Sequence, residues 1–281
     1  MSKDEFPPLP ALGGAHAFRL GVTSYVYPAA LLPNVTALAP YVDDVELVFF
    51  ESSDCSNLPS DAELGQLGDL AAEHNLTYTV HFPIDQKLGS ESREERERMA
   101  AQALRLIDLT EGLHPYAYLL HVDGIDRHAD ATRVDQWQQD ALPLLRRIHL
   151  RVRDPRLICL ENLDFPYAWC QPLLDAFGFS VCTDAGHLWQ GGYDWRAHVG
   201  QYLPQTRVIH LYGTGAGTMH FSLAAAPPAL ARDFVAAIAG FAGVLTLETF
   251  EYDDTRTSIE RLGECLKQCG RLVTDGTDQG G

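Results

Sequence analysis

The sequence is poor in several features that mark large classes of proteins. No apolar run approaches the length needed to cross a membrane. The N-terminal segment MSKDEFPPLPALGG lacks the long apolar core of a signal peptide. Six cysteines in 281 residues, without an export signal, do not indicate a disulfide scaffold. We therefore expect reduced thiols, a cytoplasmic protein and no membrane partner.

Positive charge is also scarce. Only 21 Lys and Arg stand against 38 Asp and Glu, which gives a formal net charge of −17. An acidic surface repels phosphate backbones, so duplex nucleic acid is not expected as the main partner, although bound metal ions can still hold one phosphate. No GxSxG, HExxH or P-loop pattern occurs, which removes support for serine hydrolases and for nucleotide hydrolysis.

Apolar runs alternate with amphipathic stretches along the whole chain. The runs predict strands at 18–24, 43–49, 76–82, 117–122, 157–162, 179–184, 207–212 and 243–249. Helices are predicted near 28–40, 60–74, 91–113, 133–149, 166–176, 194–203, 227–240 and 256–270. Eight β/α repeats in roughly 250 residues favour an α/β fold of the (β/α)8 TIM barrel type over a doubly wound open sheet. We expect a disordered arm at 1–17, one catalytic domain at 18–272 and a disordered tail at 273–281.

Ionisable residues stand at or near the ends of six successive predicted strands. They are His81, His121, Glu161, Asp184 with His187, His210 and Glu248. Buried ionisable groups cost several kcal/mol unless they are paired or hold a metal. The carboxyl ends of barrel strands meet at one rim, and imidazoles and carboxylates are ligands of Zn²⁺, Mn²⁺ and Fe²⁺. The pattern predicts a metal site at that rim.

One metal ion cannot readily use the whole set. A four-ligand centre accounts for Glu161, Asp184, His210 and Glu248. The extra residues are His81, His121 and His187. We therefore expect two or three divalent ions, Zn²⁺ or Mn²⁺ before Fe²⁺, bridged by Glu161. His220, in the glycine-containing loop GTGAGTMHFSL, is a further predicted ligand.

Glu46 faces inward in the run DDVELVFFE, and Glu51 lies nearer the end of that strand. Either can serve as a base, a ligand or a substrate contact, and the choice stays open. Glu161, Glu46 and Glu248 are the predicted catalytic carboxylates, with Glu46 or Glu248 orienting the attacking water. Six aromatic residues either face the substrate or pack between helices and barrel. They are Phe82, Tyr167, Trp169, Trp189, Tyr193 and Trp195.

Over about residues 18–270 these features resemble the xylose-isomerase-like barrel superfamily and its endonuclease-IV-like phosphoesterase branch. That branch has histidines at the ends of strands three and four and a glutamate at strand five. It has Asp-x-x-His after strand six, a histidine at strand seven and a glutamate at strand eight. The matching residues here are His81, His121, Glu161, Asp184, His187, His210 and Glu248. The branch also has an Asp-x-His after strand seven. Here His220 matches the histidine, but Thr218 stands in the aspartate's place. This departure puts a complete three-metal site in question.

Three segments are similar to the cobamide-remodelling phosphodiesterases, the CbiR family: FRLGVTSYVYPAALLPNV, VDDVELVFFE and YTVHFPIDQKLGS. This resemblance implies a bacterial hydrolase that cuts the nucleotide-loop phosphoester of cobamides such as coenzyme B12. The products would be cobinamide phosphate and an α-riboside, and the partner is a small-molecule corrinoid. The alternatives are a single-metal sugar isomerase or epimerase, an abasic-site endonuclease, and a corrinoid-binding protein without activity. His81 and His121 favour the phosphodiesterase, because one metal ion leaves both without a role.

Overall fold

The computed structural model describes residues 6–14, 16–50, 56–84, 87–215 and 218–274. Its strands are β1 (Arg19–Thr23), β2 (Asp44–Val48), β3 (Thr77–His81), β4 (Ala117–Leu120), β5 (Ile158–Glu161), β6 (Ser180–Asp184), β7 (Thr206–Leu211), β8 (Gly213–Gly215), β9 (Thr218–Phe221) and β10 (Val244–Leu247). Its α-helices are α1 (Leu31–Leu38), α2 (Asp61–His74), α3 (Arg93–Thr110), α4 (Ala131–Arg151), α5 (Gln171–Phe177), α6 (Ala185–Gly191), α7 (Trp195–Tyr202), α8 (Pro228–Ala237) and α9 (Tyr252–Thr274).

Eight parallel strands close into a barrel in the ring order β1, β10, β7, β6, β5, β4, β3, β2. The ring closes where β10 pairs with β1, with Val244 opposite Arg19. Helices follow the strands along the chain, as buried apolar runs alternating with amphipathic stretches require. The predicted (β/α)8 TIM barrel is therefore confirmed, and the open-sheet alternative is wrong.

Three local features differ from the sequence expectations. Helix α6 begins directly after β6, so His187 lies in a helix where the sequence predicted none. Strands β8 and β9 form an antiparallel hairpin after β7 where a loop was expected. Helix α9 begins at Tyr252 and not at the predicted residue 256, and the Thr257 hydroxyl donates to Asp253 O at 2.7 Å. All three differences fall where short or polar segments carry little periodicity.

The N-terminal segment packs against the barrel over residues 6–14. Leu9 is 4% exposed. The Tyr27 hydroxyl donates to Pro7 O at 2.6 Å, and the Tyr252 hydroxyl donates to Pro8 O at 3.1 Å. This part of the chain is ordered by apolar burial and two hydrogen bonds, in contrast to the disordered arm expected over 1–17. At the other end, α9 reaches Thr274, and residues 1–5, 15 and 275–281 lie outside the described residues.

Small apolar side chains fill the barrel beneath the rim. They are Ala117, Leu119, Cys159, Cys182, Val208 and Val244. Cys159 and Cys182 precede Glu161 and Asp184 by two residues, so each lies one layer lower on the same face of its strand. Burial raises the pKa of Cys159 to about 12, so its thiol is neutral. These side chains form an apolar floor below the rim. In the described ranges no helix is long and apolar enough to span a bilayer.

Asp44, at the start of β2, is fully buried, and its Oδ2 accepts a hydrogen bond from the Thr77 hydroxyl at 2.6 Å. Burial raises the pKa of Asp44 to about 7, although the Thr77 hydrogen bond acts in the opposite direction. Its reference pKa is 3.8, so the folded chain holds this proton more tightly than the unfolded chain does. The stability from Asp44 is therefore complete below about pH 4 and is lost as the pH rises through about 7.

We expect Asp44→Asn to remove a few kcal/mol of the decline in unfolding free energy between about pH 5 and about pH 8. Urea unfolding at both pH values measures the difference. The exposed Asp69 supplies the control, since Asp69→Asn should keep the wild-type pH dependence. An Asp44→Asn variant with the full wild-type decline would show that another group causes it.

Candidate metal centre

The strand ends bring the predicted ligands to one rim of the barrel. His81, Glu161 and Asp184 are the last residues of β3, β5 and β6. His210 is the penultimate residue of β7, and Glu248 directly follows β10. All five are buried, with at most 6% of their surface exposed. His121 directly follows β4 and is partly exposed. Parallel strands of one closed ring thus deliver imidazoles and carboxylates to a common point.

Glu161 lies between two groups of these side chains. Its Oε2 is 3.2 Å from His121 Nε2 and 3.6 Å from His81 Nε2. Its Oε1 is 3.4 Å from His210 Nδ1. One carboxylate oxygen therefore faces the β3 and β4 histidines, while the other faces the β7 histidine.

His210 Nδ1 is the meeting point of the second group. It lies 3.1 Å from Glu248 Oε2 and 3.6 Å from Asp184 Oδ2. The Tyr212 hydroxyl donates to both Asp184 oxygens at 3.0 and 3.1 Å. Gly186 makes this contact possible, because a Cβ there would lie 2.1 Å from the Tyr212 ring. Four sets of side chains have ligand atoms within 4.8 Å of one another, and two of them, His81–His121–Glu161 and Glu161–Asp184–His210–Glu248, share Glu161 and consist of rim residues. The other two are Glu161–Cys182–His210 and Glu46–His81–Glu248.

Four buried atoms of the predicted ligands have no hydrogen-bond partner among the described residues. They are His121 Nε2, Glu161 Oε2, His210 Nδ1 and Glu248 Oε2. Each has an imidazole nitrogen or a carboxylate oxygen of another ligand 3.1 to 3.4 Å away, but the angles do not make hydrogen bonds. Ligand atoms that lie this close together without hydrogen-bonding to one another could bind a divalent cation between them. The donor set of imidazole nitrogens and carboxylate oxygens fits Zn²⁺, Mn²⁺ or Fe²⁺.

Hydrogen bonds behind the histidines fix which ring nitrogen faces the centre. His81 Nδ1 donates to Phe82 O at 2.7 Å, so Nε2 is left toward Glu161. His210 Nε2 donates to Glu46 Oε2 at 2.9 Å, so Nδ1 is left toward the carboxylates. Such partners orient metal-binding imidazoles and increase their basicity.

Glu46 therefore lies behind His210 and does not line the cavity above it. Its side chain is fully buried, and its second oxygen has no hydrogen-bond partner in the described part of the chain. This location suits a residue that positions His210 better than one that touches a substrate. Its sequence-predicted rival, Glu51, lies outside the described residues.

Burial and charge act against each other in the site. Burial would raise the pKa of Glu161, but His210 and His121 hold it well below its usual range. Burial likewise acts to raise the pKa of Glu248, and His210 and His220 lower it. Burial would lower the pKa of His81, yet the Glu161 carboxylate raises it to about 9. The rim thus concentrates negative charge that imidazole protons or metal cations must balance.

His187 and His220 lie at the edge of the site. His187 lines the same cavity. Asp184 is the N-cap of α6, and its Oδ1 accepts a hydrogen bond from the His187 backbone N–H at 2.6 Å. His220, at φ 63°, places Nδ1 3.2 Å from Glu248 O and 3.4 Å from Glu248 Oε2. Among the described residues, the ligand groups include neither histidine. The two groups that share Glu161 therefore offer places for two ions, and the Thr218 side chain lies outside the described part of the chain.

The cavity above the ligands holds about 640 Å³ and has an apolar side that the sequence did not reveal. Of the six predicted rim aromatics only Phe82 lines it. The other five, at 167, 169, 189, 193 and 195, pack against the hydrophobic core. The apolar residues that do line the cavity include Phe50, Ile84, Leu163, Met219 and Phe250. Aromatic residues just past β2 and β10, in the motifs FFE and TFE, were the available sequence signal.

Residues 42–269 match a family model described as xylose isomerase-like TIM barrel. The chain superposes with a TM-score of 0.73 on a D-tagatose 3-epimerase-like protein, at 18% identity over 91% of this chain and 100% of that one. It superposes with a TM-score of 0.68 on endonuclease IV from Thermus thermophilus, at 20% identity over 89% and 99% of the two chains. At these identities the similarity shows the fold alone. No curated protein sequence matches this chain.

We expect Glu46→Ala to weaken divalent-metal binding about tenfold to a hundredfold, because His210 loses the acceptor that fixes its ring. Competition with a chelator measures the metal affinity. Glu46→Gln is the matched control, since its amide oxygen can still accept from His210 Nε2, and it should bind metal more tightly than the alanine variant. Wild-type metal affinity in Glu46→Ala would contradict the positioning role.

Proposed function

The chain belongs to the xylose isomerase-like TIM barrel family, and we propose that it is a metal-dependent phosphodiesterase. The observation that carries this proposal is the position of Glu161. Its two oxygens face two ligand groups, His81 with His121 on one side and His210 on the other. A shared carboxylate is the arrangement that holds two ions a few ångströms apart, which favours phosphoryl chemistry.

In this proposal His81, His121 and Glu161 would hold one divalent ion, and Glu161, Asp184, His210 and Glu248 would hold a second. Ions held by these residues would act as Lewis acids toward phosphoryl oxygens and would lower the pKa of water. His81 and His121 contribute Nε2, and Glu46 keeps His210 turned so that Nδ1 faces the centre. Glu248, which also lines the cavity, would orient the attacking water.

We further propose that the substrate is a cobamide of the coenzyme B12 type, cut at its nucleotide-loop phosphoester. The products would be cobinamide phosphate and an α-riboside, in corrinoid salvage within a bacterial cytoplasm. The support is the resemblance of the segments at residues 18–35, 42–51 and 78–90 to the CbiR family. A large cavity with a strongly apolar lining is compatible with such a ligand.

A single-metal sugar isomerase or epimerase is the second candidate. Glu161, Asp184, His210 and Glu248 alone would serve it, and a D-tagatose 3-epimerase-like protein shares the fold. An abasic-site endonuclease also fits the fold, but the net charge of −17 disfavours a duplex substrate. The group of His81, His121 and Glu161 favours the phosphodiesterase, since a one-metal enzyme would leave His81 and His121 without a metal.

The direct test is incubation of the chain with coenzyme B12 and Zn²⁺, Mn²⁺ or Fe²⁺ in parallel, with products identified by mass. We expect cobinamide phosphate and an α-riboside with at least one metal, and none after chelation. Epimerisation of ketohexoses without cleavage of coenzyme B12 would support the isomerase candidate. Incision of an abasic duplex at physiological salt, again without action on coenzyme B12, would support the endonuclease.

We expect His121→Ala to lose one of two bound ions and most of the phosphodiesterase activity while the fold survives. His121 is partly exposed, so its truncation leaves no large buried void. Metal content per chain, circular dichroism and turnover measure the three effects. His128→Ala is the control, because His128 is an exposed histidine of the same β4–α4 connection. Full turnover with two ions in His121→Ala would contradict the site assignment.

A further inference from the structure

Four side chains form an apolar wall along one arc of the cavity mouth: Phe50, Ile84, Met219 and Phe250. Phe50, Ile84 and Phe250 follow β2, β3 and β10, and Met219 lies in β9. Because β10, β1, β2 and β3 are consecutive in the ring, the residues that follow them share one side of the rim. The wall therefore exists only through closure of the barrel.

Three of these side chains are unusually open to solvent for their type. Ile84 is 60% exposed, and Phe50 and Phe250 are each 39% exposed. They make up half of the large hydrophobic residues that are so exposed in the described chain, the others being Tyr41, Leu150 and Phe221. The Phe250 ring also stands edge-on to His220 at 5.2 Å, so the wall is continuous with the metal centre. Exposed apolar surface concentrated beside ionisable groups in a cavity marks a ligand surface.

The polar residues that line the rest of the cavity belong to only two chemical types. Apart from apolar residues, the described part of the cavity is lined by carboxylates and imidazoles alone, without Lys, Arg, Ser, Thr, Asn or Gln. Asp123 and Asp164 belong to this lining and to neither ligand group. A second anionic group on a substrate would meet these carboxylates, and no Lys or Arg lines the described part of the cavity beside them, although Lys87 acts on Asp123 from the adjoining pocket. Sugar hydroxyls would find no neutral side-chain hydrogen-bond partner on these walls.

We propose that the apolar wall is a specificity subsite for a flat, apolar, non-anionic substituent of the phosphodiester. This inference rests on the proposed phosphodiesterase function and narrows its substrate class to diesters with one phosphate charge and a bulky hydrophobic part. The cavity of about 640 Å³ leaves room for a ring system beside the phosphate.

Calorimetric titration of the manganese-loaded chain with diphenyl phosphate and dimethyl phosphate tests the subsite. The two probes carry the same single charge and differ in their apolar substituents. We expect diphenyl phosphate to bind tighter by about tenfold or more, since ring burial removes apolar area from water. Ile84→Asn and Phe250→Asn should each reduce that preference to about threefold or less.

Leu150→Asn is the matched control, because Leu150 is 76% exposed on α4 and lies outside the cavity. It should keep the wild-type preference. A third probe, bis(4-carboxyphenyl) phosphate, should bind about tenfold more weakly than diphenyl phosphate, because Asp123 and Asp164 oppose added carboxylates. Equal binding of the diphenyl and dimethyl probes to the wild type, or no binding of either, would overturn the subsite. So would an unchanged preference in both wall variants.

The outcomes separate this inference from the cobamide assignment. A diphenyl preference that the wall variants remove, without cleavage of coenzyme B12, would reject the cobamide substrate and keep the subsite. Cleavage of coenzyme B12 without a diphenyl preference would reject the subsite and keep the phosphodiesterase.

Discussion

The accumulation of buried carboxylates at one rim is the constraint on which the site depends. Glu46, Glu161, Asp184 and Glu248 are at most 6% exposed and all lie near His210. Carboxylates that close in a low-dielectric interior repel one another by several kcal/mol unless cations stand between them. Imidazole protons can supply part of that positive charge. Glu161 Oε2 and Glu248 Oε2 have no hydrogen-bond partner among the described residues, so divalent ions could supply the rest.

Different layers of the barrel contribute to the site in different ways. Small apolar side chains fill the floor and exclude water from below. Hydrogen bonds to Glu46 and to Phe82 O turn two imidazoles toward the centre, and Tyr212 holds Asp184. The strand ends then present the ligand atoms, and the loops beyond them supply the apolar wall. Chemistry and specificity are thus built from different parts of each β/α unit, so substitutions in the loops can change the substrate without disturbing the ligands.

The sequence predicted the barrel and the convergence of strand ends because both follow from periodic patterns. Each predicted strand agrees with its barrel strand to within two residues at either end. Other features had no such signal. Phe50, Ile84 and Phe250 are about 30 and 170 residues apart along the chain and become neighbours only when β10 pairs with β1. Glu46 carried the right chemistry, but only the 2.9 Å contact with His210 distinguishes a positioning role from a catalytic one. The tryptophans and tyrosines near α5, α6 and α7 looked suited to a rim and instead pack into the core, since large aromatic rings contribute most where they are buried.

The central claim is that Glu161 joins two metal ions into one unit, and electron paramagnetic resonance of the manganese-loaded chain tests it most directly. Two Mn²⁺ ions bridged by one carboxylate lie a few ångströms apart and share an exchange-coupled signal. We expect that coupled signal at two ions per chain, and we expect an uncoupled six-line signal to replace it in Glu161→Ala. An uncoupled six-line signal in the wild-type chain at full metal loading would show that Glu161 does not bridge two ions.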